Sequence, residues 1–352
     1  MQAKASDAPK IKCVVWDLDN TIWDGTLSEG DDPILNPHIL TALRTLDERG
    51  ILQSIASRNT FDDAWARIQG FGIGDFFLYP EIHWESKTGS ISRIAKNLNI
   101  STDSFAFIDD QPFERDEVRF QMPEVRTFDP TDLPELLTHD AFIPRFITDE
   151  SKLRRLMYQS DAKRNAEERS FKGPGEAFLQ TLDMKLEIRP AETRDLQRAE
   201  ELTQRTHQLN TTGITYSYED LSTLLLSPKH RLLVASLTDR YGSYGTIGLV
   251  LVELDPAGWD IRLLLMSCRV MSRGVGGAII TFLRNEARRH GTRLFADFKE
   301  TDRNRMMYIT YKFSGFEDKS SDNGVQRMEA DLSNIPAYPS YLDLDARFDP
   351  LS

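Results

Sequence analysis

Lys12-Cys13-Val14-Val15-Trp16-Asp17-Leu18-Asp19-Asn20-Thr21 is the stretch whose reading decides the fold. An apolar, β-branched run enters two aspartates spaced by one residue, followed by Asn and Thr. Such a run reads as a strand buried on both faces, as in a parallel sheet. Sites in open α/β sheets lie beyond the carboxyl ends of the strands, and this strand carries its carboxylates there. Alternation places Asp17 and Asp19 on one side. Two acids so placed can divide labour, one attacking or binding metal and the other moving a proton. Asp, Asn and Thr are also good helix caps, so a strand-to-helix cap cluster would use the same residues without chemistry.

Outward from this strand, the pattern alternates. Asn36 and Pro37 open an expected helix with Ile39, Leu40, Leu43 and Leu46 as its apolar stripe, stopped by Gly50. Residues 51–56 read as a strand ending in Ser57-Arg58-Asn59, followed by a helix over about 61–69. Another short strand and a loop lead to Lys87, which opens an amphipathic helix to Leu98 with Ile91, Ile94, Ala95 and Leu98 on one face. Residues 104–108 form a strand that runs into Asp109-Asp110. Strand and helix alternate to about residue 130, which predicts a doubly wound parallel sheet.

The bulk properties narrow the function classes. A chain of 352 residues suggests two domains, and 40% hydrophobic with 28% charged residues is the balance of a globular protein. The net charge of −12 argues against a general nucleic-acid surface. Two cysteines, Cys13 and Cys268, exclude a disulfide framework or a cysteine zinc site. With no apolar signal segment at the start and no run long enough to span a bilayer, a cytoplasmic protein away from membranes is expected.

Polar residues arrive at the expected strand ends in order: Asp17 and Asp19, Ser57, Lys87, Asp109 and Asp110. Each has a structural reading as a cap or a solvated side chain; together they suit phosphoryl transfer. A carboxylate can form an acyl-phosphate, Mg²⁺ on oxygen ligands would offset repulsion from an anionic substrate, and Ser57 and Lys87 would hold the phosphoryl group. Ser57 lies 40 residues after Asp17 and Lys87 lies 30 after Ser57, each interval filled by one βα unit. No substantial cap domain fits in either, so the site is expected to be open.

The order DLDNT, SRN, Lys and DD resembles the haloacid dehalogenase (HAD) superfamily, and "WDLDNTIW…SIASRN…FAFIDDQPFERDEV" resembles its FkbH-like branch. The resemblance implies Asp17 as nucleophile, Asp19 as general acid/base, Ser57, Asn59 and Lys87 as phosphate ligands, and Asp17, Asp19, Asp109 and Asp110 around Mg²⁺. It implies a HAD-like domain over 1–137.

Residues 138–182 read as a linker with a strongly charged helix over 150–169, a solvated interdomain helix whose basic residues could also meet an acidic carrier. From Lys185 strands cluster: 186–189, 231–237, 245–254 and 259–268, with helices over 192–207, 274–290 and 302–313 and a strand over 293–298. This predicts an α+β domain over 183–340. The turn Arg269 to Ala278 joins strand to helix through glycines; it reads equally as a phosphate cradle or as close packing.

The second half resembles the GNAT acyltransferase fold. Arg269, Arg273, Gly274 and Gly276 fall where that family has its pyrophosphate loop, and Tyr311 where it often has a tyrosine acid. Met271 stands where the family usually has Gln or Arg. "LLMSCRVMSRG" resembles the FkbH-like motif around a cysteine, which implies Cys268 as an acyl carrier. Arg269 and the helix start would favour its thiolate; His207 would be a base near it or a helix-end cap. Cys13, inside the first strand, reads as core. The FkbH-like resemblance implies a glyceryl unit taken from 1,3-bisphosphoglycerate, dephosphorylated and passed to an acyl carrier protein in polyketide-type biosynthesis. The alternative is a Mg²⁺ phosphatase whose second domain only docks a partner.

Overall fold

The computed structural model describes residues 10–349. The chain divides into two compact units, one up to Gln159 and one from Ser160. The division falls inside a helix, within the segment that reads as linker.

The first unit runs β1 (Cys13–Trp16), a small hairpin of β2 (Trp23–Asp24) and β3 (Ile34–Leu35), α1 (Ile39–Glu48), β4 (Leu52–Ser57), α2 (Phe61–Gly70), β5 (Glu81–Ile82), α3 (Lys87–Leu98), β6 (Phe105–Ile108), α4 (Pro112–Gln121), β7 (Arg126–Phe128), α5 (Leu133–Leu136) and α6 (Asp149–Lys152). The sheet order is β5-β4-β1-β6-β7, parallel throughout. Alternation along β1 sorts its side chains. Val14 and Trp16 join the core under α1 and α2, while Cys13 and Val15 join the core under α3 and α4. Gln53, buried in β4, is satisfied by Trp16 Nε1 (3.2 Å) and by Leu43 O (2.9 Å), so the polar group carries no unpaired cost. The chain winds outward from β1 to β5, then returns to β6. The switch point therefore lies at the carboxyl end of β1.

The second unit runs α8 (Gly175–Gln180), β8 (Met184–Pro190), α9 (Leu196–Arg205), α10 (Tyr218–Leu226), β9 (His230–Asp239), β10 (Gly242–Asp255), β11 (Gly258–Met266), α11 (Val275–Arg289), β12 (Leu294–Lys299), α12 (Arg305–Phe313), β13 (Phe316–Asp322), β14 (Val325–Ala330) and β15 (Leu342–Ala346). Its sheet has the order β13-β14-β12-β11-β10-β9-β8-β15. Only β11·β12 and β8·β15 are parallel. Leu232, Val234, Leu249, Leu251, Leu263 and Leu265 pack under α9 and α10; alternate residues of the same strands face α11 and α12.

The architecture matches the expected parallel α/β unit followed by an α+β unit. The hairpin β2–β3, α10 and β13 to β15 were not expected from the sequence. Residue 340 is not the end of the second sheet, because β15 pairs along β8. The charged segment 150–169 is not one solvated helix. It breaks at Leu153 into α6 and α7 (Arg154–Ser170). Within the first unit, buried Arg154 donates to Gly50 O (2.8 Å) and Arg155 grips both oxygens of Asp47. Within the second, Arg164 is 1% exposed, donates to Asp239 (2.5 and 2.9 Å) and Asp161 (2.5 Å), and lies over the Tyr244 ring. These cations are neutralised anchors.

Candidate active site

Four connections bring the predicted residues of the first unit together. β1 ends at Trp16, and Asp17 N–H still bonds to Ile108 O (2.9 Å), which holds Asp17 beside the end of β6. Asn20 then takes a left-handed φ of 52°, which Asn tolerates, and the chain turns away from the sheet. β4 ends on Ser57. Lys87 arrives by a different route from the strand end expected of it. Ser86 caps α3, its Oγ accepting from Gly89 N–H (3.2 Å), a cap of about 1 kcal/mol that fixes Lys87 as the first helical residue. From there Lys87 Nζ reaches back to Asp17 Oδ1, to Ala56 O (2.9 Å) and to Asp109 Oδ2 (3.1 Å), and lies 5.6 Å from the Phe107 ring centre.

Asp17, Asp109 and Asp110 each present an oxygen within 4.8 Å of the others. Asp17, Lys87 and Asp109 are buried. Burial pushes the Asp17 carboxyl up, and repulsion from Asp109 adds to this against the pull of Lys87. Burial likewise raises Asp109, and burial with the Asp17 charge raises Asp110. Burial alone would lower Lys87, but Asp17 and Asp109 outweigh it and hold the ammonium above its ordinary value. One ammonium thus faces three carboxylates. Asp110 Oδ1 is buried without a hydrogen-bond partner among the described residues, and Asp109 Oδ2 has the shared Lys87 ammonium beside it. Hard oxygens in surplus over one ammonium, one of them unsatisfied, fit a divalent cation such as Mg²⁺.

Asp19 stands apart from this cluster. Its Oδ1 accepts from Trp23 Nε1 (2.8 Å) and Leu27 N–H (3.1 Å), and its Oδ2 from Asn59 Nδ2 (2.9 Å). With its oxygens so engaged, its carboxylate is not among the three gathered acids, and the expected side-chain ligation by Asp19 does not follow from this geometry. Asn59 also donates to Ser57 Oγ (3.3 Å), so it ties the two strand ends together and orients Asp19. A cleft of about 550 Å³ opens beside Asn59, lined by Leu27, Asp31, Thr60, Asp63 and Arg67.

Two nearby residues escaped the sequence reading. Thr21 Oγ1 accepts from Asp110 N–H (3.2 Å), which fixes the DD turn against β1. Glu114, buried in the first turn of α4, binds Arg58 (2.9 Å) behind the acids. An acid in a first helical turn, two residues after a Pro start, was the available signal.

In the second unit, Cys268 is half-buried at the start of a short 3₁₀ turn (Cys268–Val270), and its Sγ lies 3.6 Å from Gln208 Oε1. His207 is exposed and precedes that glutamine. The hydrogen bonds given by the two neighbouring arginines run to other groups. Arg269 Nη2 donates to Tyr244 O of β10 (2.6 Å) and Arg273 Nη2 to Glu168 of α7 (2.9 Å). Gly274 and Gly276 make room for the protein's own side chains: a β-carbon at Gly274 would strike the Tyr341 hydroxyl, and one at Gly276 would lie 2.8 Å from Met266 Cε. Close packing is thus the reading of this turn that the structure favours. Tyr311 is fully buried, and burial pushes its phenol far up, so the geometry does not make it an accessible acid. Cys13 is buried and raised by desolvation, as a core thiol is.

No family model matches this chain, and no curated protein does. Among solved structures, one similar chain is the N-terminal part of a Bacteroides fragilis protein containing a phosphatase domain complexed with Mg. It is 31% identical over 37% of this chain, which spans 39% of that one, with a TM-score of 0.33. The PaiA N-acetyltransferase from Thermoplasma acidophilum, in complex with coenzyme A, is 16% identical over 41% of this chain and 98% of its own, with a TM-score of 0.35. The ribosomal-protein-S18-alanine N-acetyltransferase from Escherichia coli is 16% identical over 41% and 90%, with a TM-score of 0.32.

Proposed function

We propose that the first unit is a Mg²⁺-dependent phosphotransferase acting through Asp17. The observation that carries this is the buried meeting of Asp17, Lys87, Asp109 and Asp110 at the switch point of a parallel sheet. An Asp17 oxygen attacks phosphorus, the bond to the leaving oxygen breaks, and Asp19 delivers a proton to that oxygen. Water then cleaves the aspartyl phosphate, with Asp19 taking the proton, and phosphate leaves. Lys87 and Ser57 hold the phosphoryl oxygens, and Asn59 keeps Asp19 aimed. When bound, Mg²⁺ would lie on Asp17, Asp109 and Asp110 and offset the charge that repels an anionic substrate.

The finer reading is FkbH-like. A glyceryl unit from 1,3-bisphosphoglycerate is loaded on the Cys268 thiol, the acyl-phosphate bond breaking as the thioester forms; it loses its remaining phosphate, and passes to an acyl carrier protein thiol. The sequence motifs and the half-exposed Cys268 beside Gln208 support it. The engagement of Arg269 and Arg273 with α7 and Tyr244 favours a second reading, a phosphatase whose second unit only docks a partner.

Intact-mass analysis separates them. Incubated with the bisphosphate, Mg²⁺ and a carrier protein, the wild-type chain and Cys13→Ser should gain a glyceryl adduct and load the carrier, whereas Cys268→Ser should do neither. Normal loading by Cys268→Ser would leave Cys268 a packing residue and the phosphatase reading in place.

A further inference from the structure

The parallel strands β11 and β12 pair only over Trp259–Ile261 and Leu294–Ala296, although both continue, to Met266 and Lys299. Parallel strands that stop pairing leave a fork whose edges bear unsatisfied N–H and C=O groups. Here the fork is filled by the chain itself. Met266 N–H donates to Leu209 O (2.8 Å), Thr211 N–H to Leu264 O (3.0 Å), and Lys299 N–H to Thr211 O (3.0 Å). Leu264 N–H donates to Thr211 Oγ1 (3.1 Å), and Asn210 bridges Leu265 in antiparallel register. One residue locks the segment. Asn304, fully buried, donates through Nδ2 to Asn210 O (3.0 Å) and Lys299 O (2.9 Å), while its Oδ1 accepts from Thr301 N–H (2.9 Å).

We propose that Leu209–Thr211 is the resident strand of this fork and shuts it to a pantetheine-type arm, the extended, amide-bearing thiol chain that coenzyme A carries. Such an arm could enter an open fork only as an added strand, using the same backbone groups. Those of Leu264, Met266 and Lys299 are already paired, and the segment that pairs them is buried from Leu209 to Thr212. Beside it, the Tyr341 hydroxyl lies close to Gly274 and the Met266 methyl close to Gly276. Any acyl transfer in this unit therefore uses a thiol of the protein or of a partner in place of a coenzyme arm lying in the sheet. The inference stands on backbone pairing and does not depend on the role of Cys268 or of Asp17.

Hydrogen exchange by mass spectrometry on the full chain, together with calorimetric titration of coenzyme A, tests it. Peptides covering 262–267 and 295–300 should be protected in the wild-type chain. Millimolar coenzyme A should give no saturable heat and leave that protection unchanged. Asn304→Ala should speed exchange in both peptides by about tenfold or more. Thr211→Val, which removes the side-chain acceptor for Leu264 N–H and keeps the backbone groups of Thr211, should speed the first alone. Saturable coenzyme A binding to the wild-type chain, or exchange there as fast as in an exposed loop, would overturn the proposal even if neither variant folds.

Discussion

The ammonium of Lys87, at the first position of α3, donates to the carboxylate of Asp17, at the first position beyond β1. A helix start and a strand end are thereby joined by one buried ion pair, and Asp109 and Asp110 are left with only a share of that cation. The chemistry proposed for the first unit rests on this balance.

Asp17→Asn keeps the shape and removes the attacking charge. Phosphate release from an aryl phosphate probe with Mg²⁺ should fall by more than ~10³-fold. The circular dichroism spectrum should be unchanged. Turnover near the wild-type rate would rule out Asp17 as nucleophile.

Lys87→Met leaves buried carboxylates without their cation. The expected loss in urea unfolding is about 3–5 kcal/mol, the scale for breaking one side of a buried pair. Added Mg²⁺ should recover part of it. A variant as stable as the parent would show that the pair contributes nothing net.

The raised carboxyl groups of Asp17, Asp109 and Asp110 set a pH dependence. A folded site that keeps protons which the unfolded chain has released loses stability as pH rises above the ordinary carboxylate values. Divalent metal replaces those protons. The rise in melting temperature on adding Mg²⁺ should therefore be larger at pH 7.5 than at pH 5; equal shifts would place the metal elsewhere.

Asn59→Ala removes the donor that joins Asp19 to Ser57. If Asp19 moves the proton, kcat should fall by roughly 10- to 100-fold with KM nearly unchanged. A rise in KM alone would make Asn59 a binding group instead.

The alternation of the first unit was legible because each strand is buried and each helix is amphipathic; the helix from Lys87 to Leu98 has the predicted ends. β13 was not legible. Its residues Glu317 to Asp322 are all exposed and carry no apolar alternation, so only ladder pairing with β14 makes them a strand. Likewise, Asp17, Lys87 and Asp109 were readable as a group from their order along the chain, but the separate engagement of the Asp19 carboxylate was not. That depends on the left-handed turn at Asn20 and on Trp23 and Leu27. Arg269 and Arg273 neighbour Cys268 in sequence, yet Ser272 at φ 68° helps turn this segment, and their partners lie about 25 and 105 residues away.

The pairing of β15 with β8 also has a bearing on self-association. β15 is the outermost strand on its side of the sheet, and its sequence Leu-Asp-Leu-Asp-Ala directs Asp343 and Asp345 outward at alternate positions. Charge on a peripheral strand discourages another chain from adding to it. A fragment ending at residue 340 would strip that guard and bare the backbone edge of β8, seven residues from Met184 to Pro190 whose Met184, Leu186 and Ile188 are buried. Such a fragment would be prone to stack copy on copy, so a second unit prepared for study should retain its C-terminal strand.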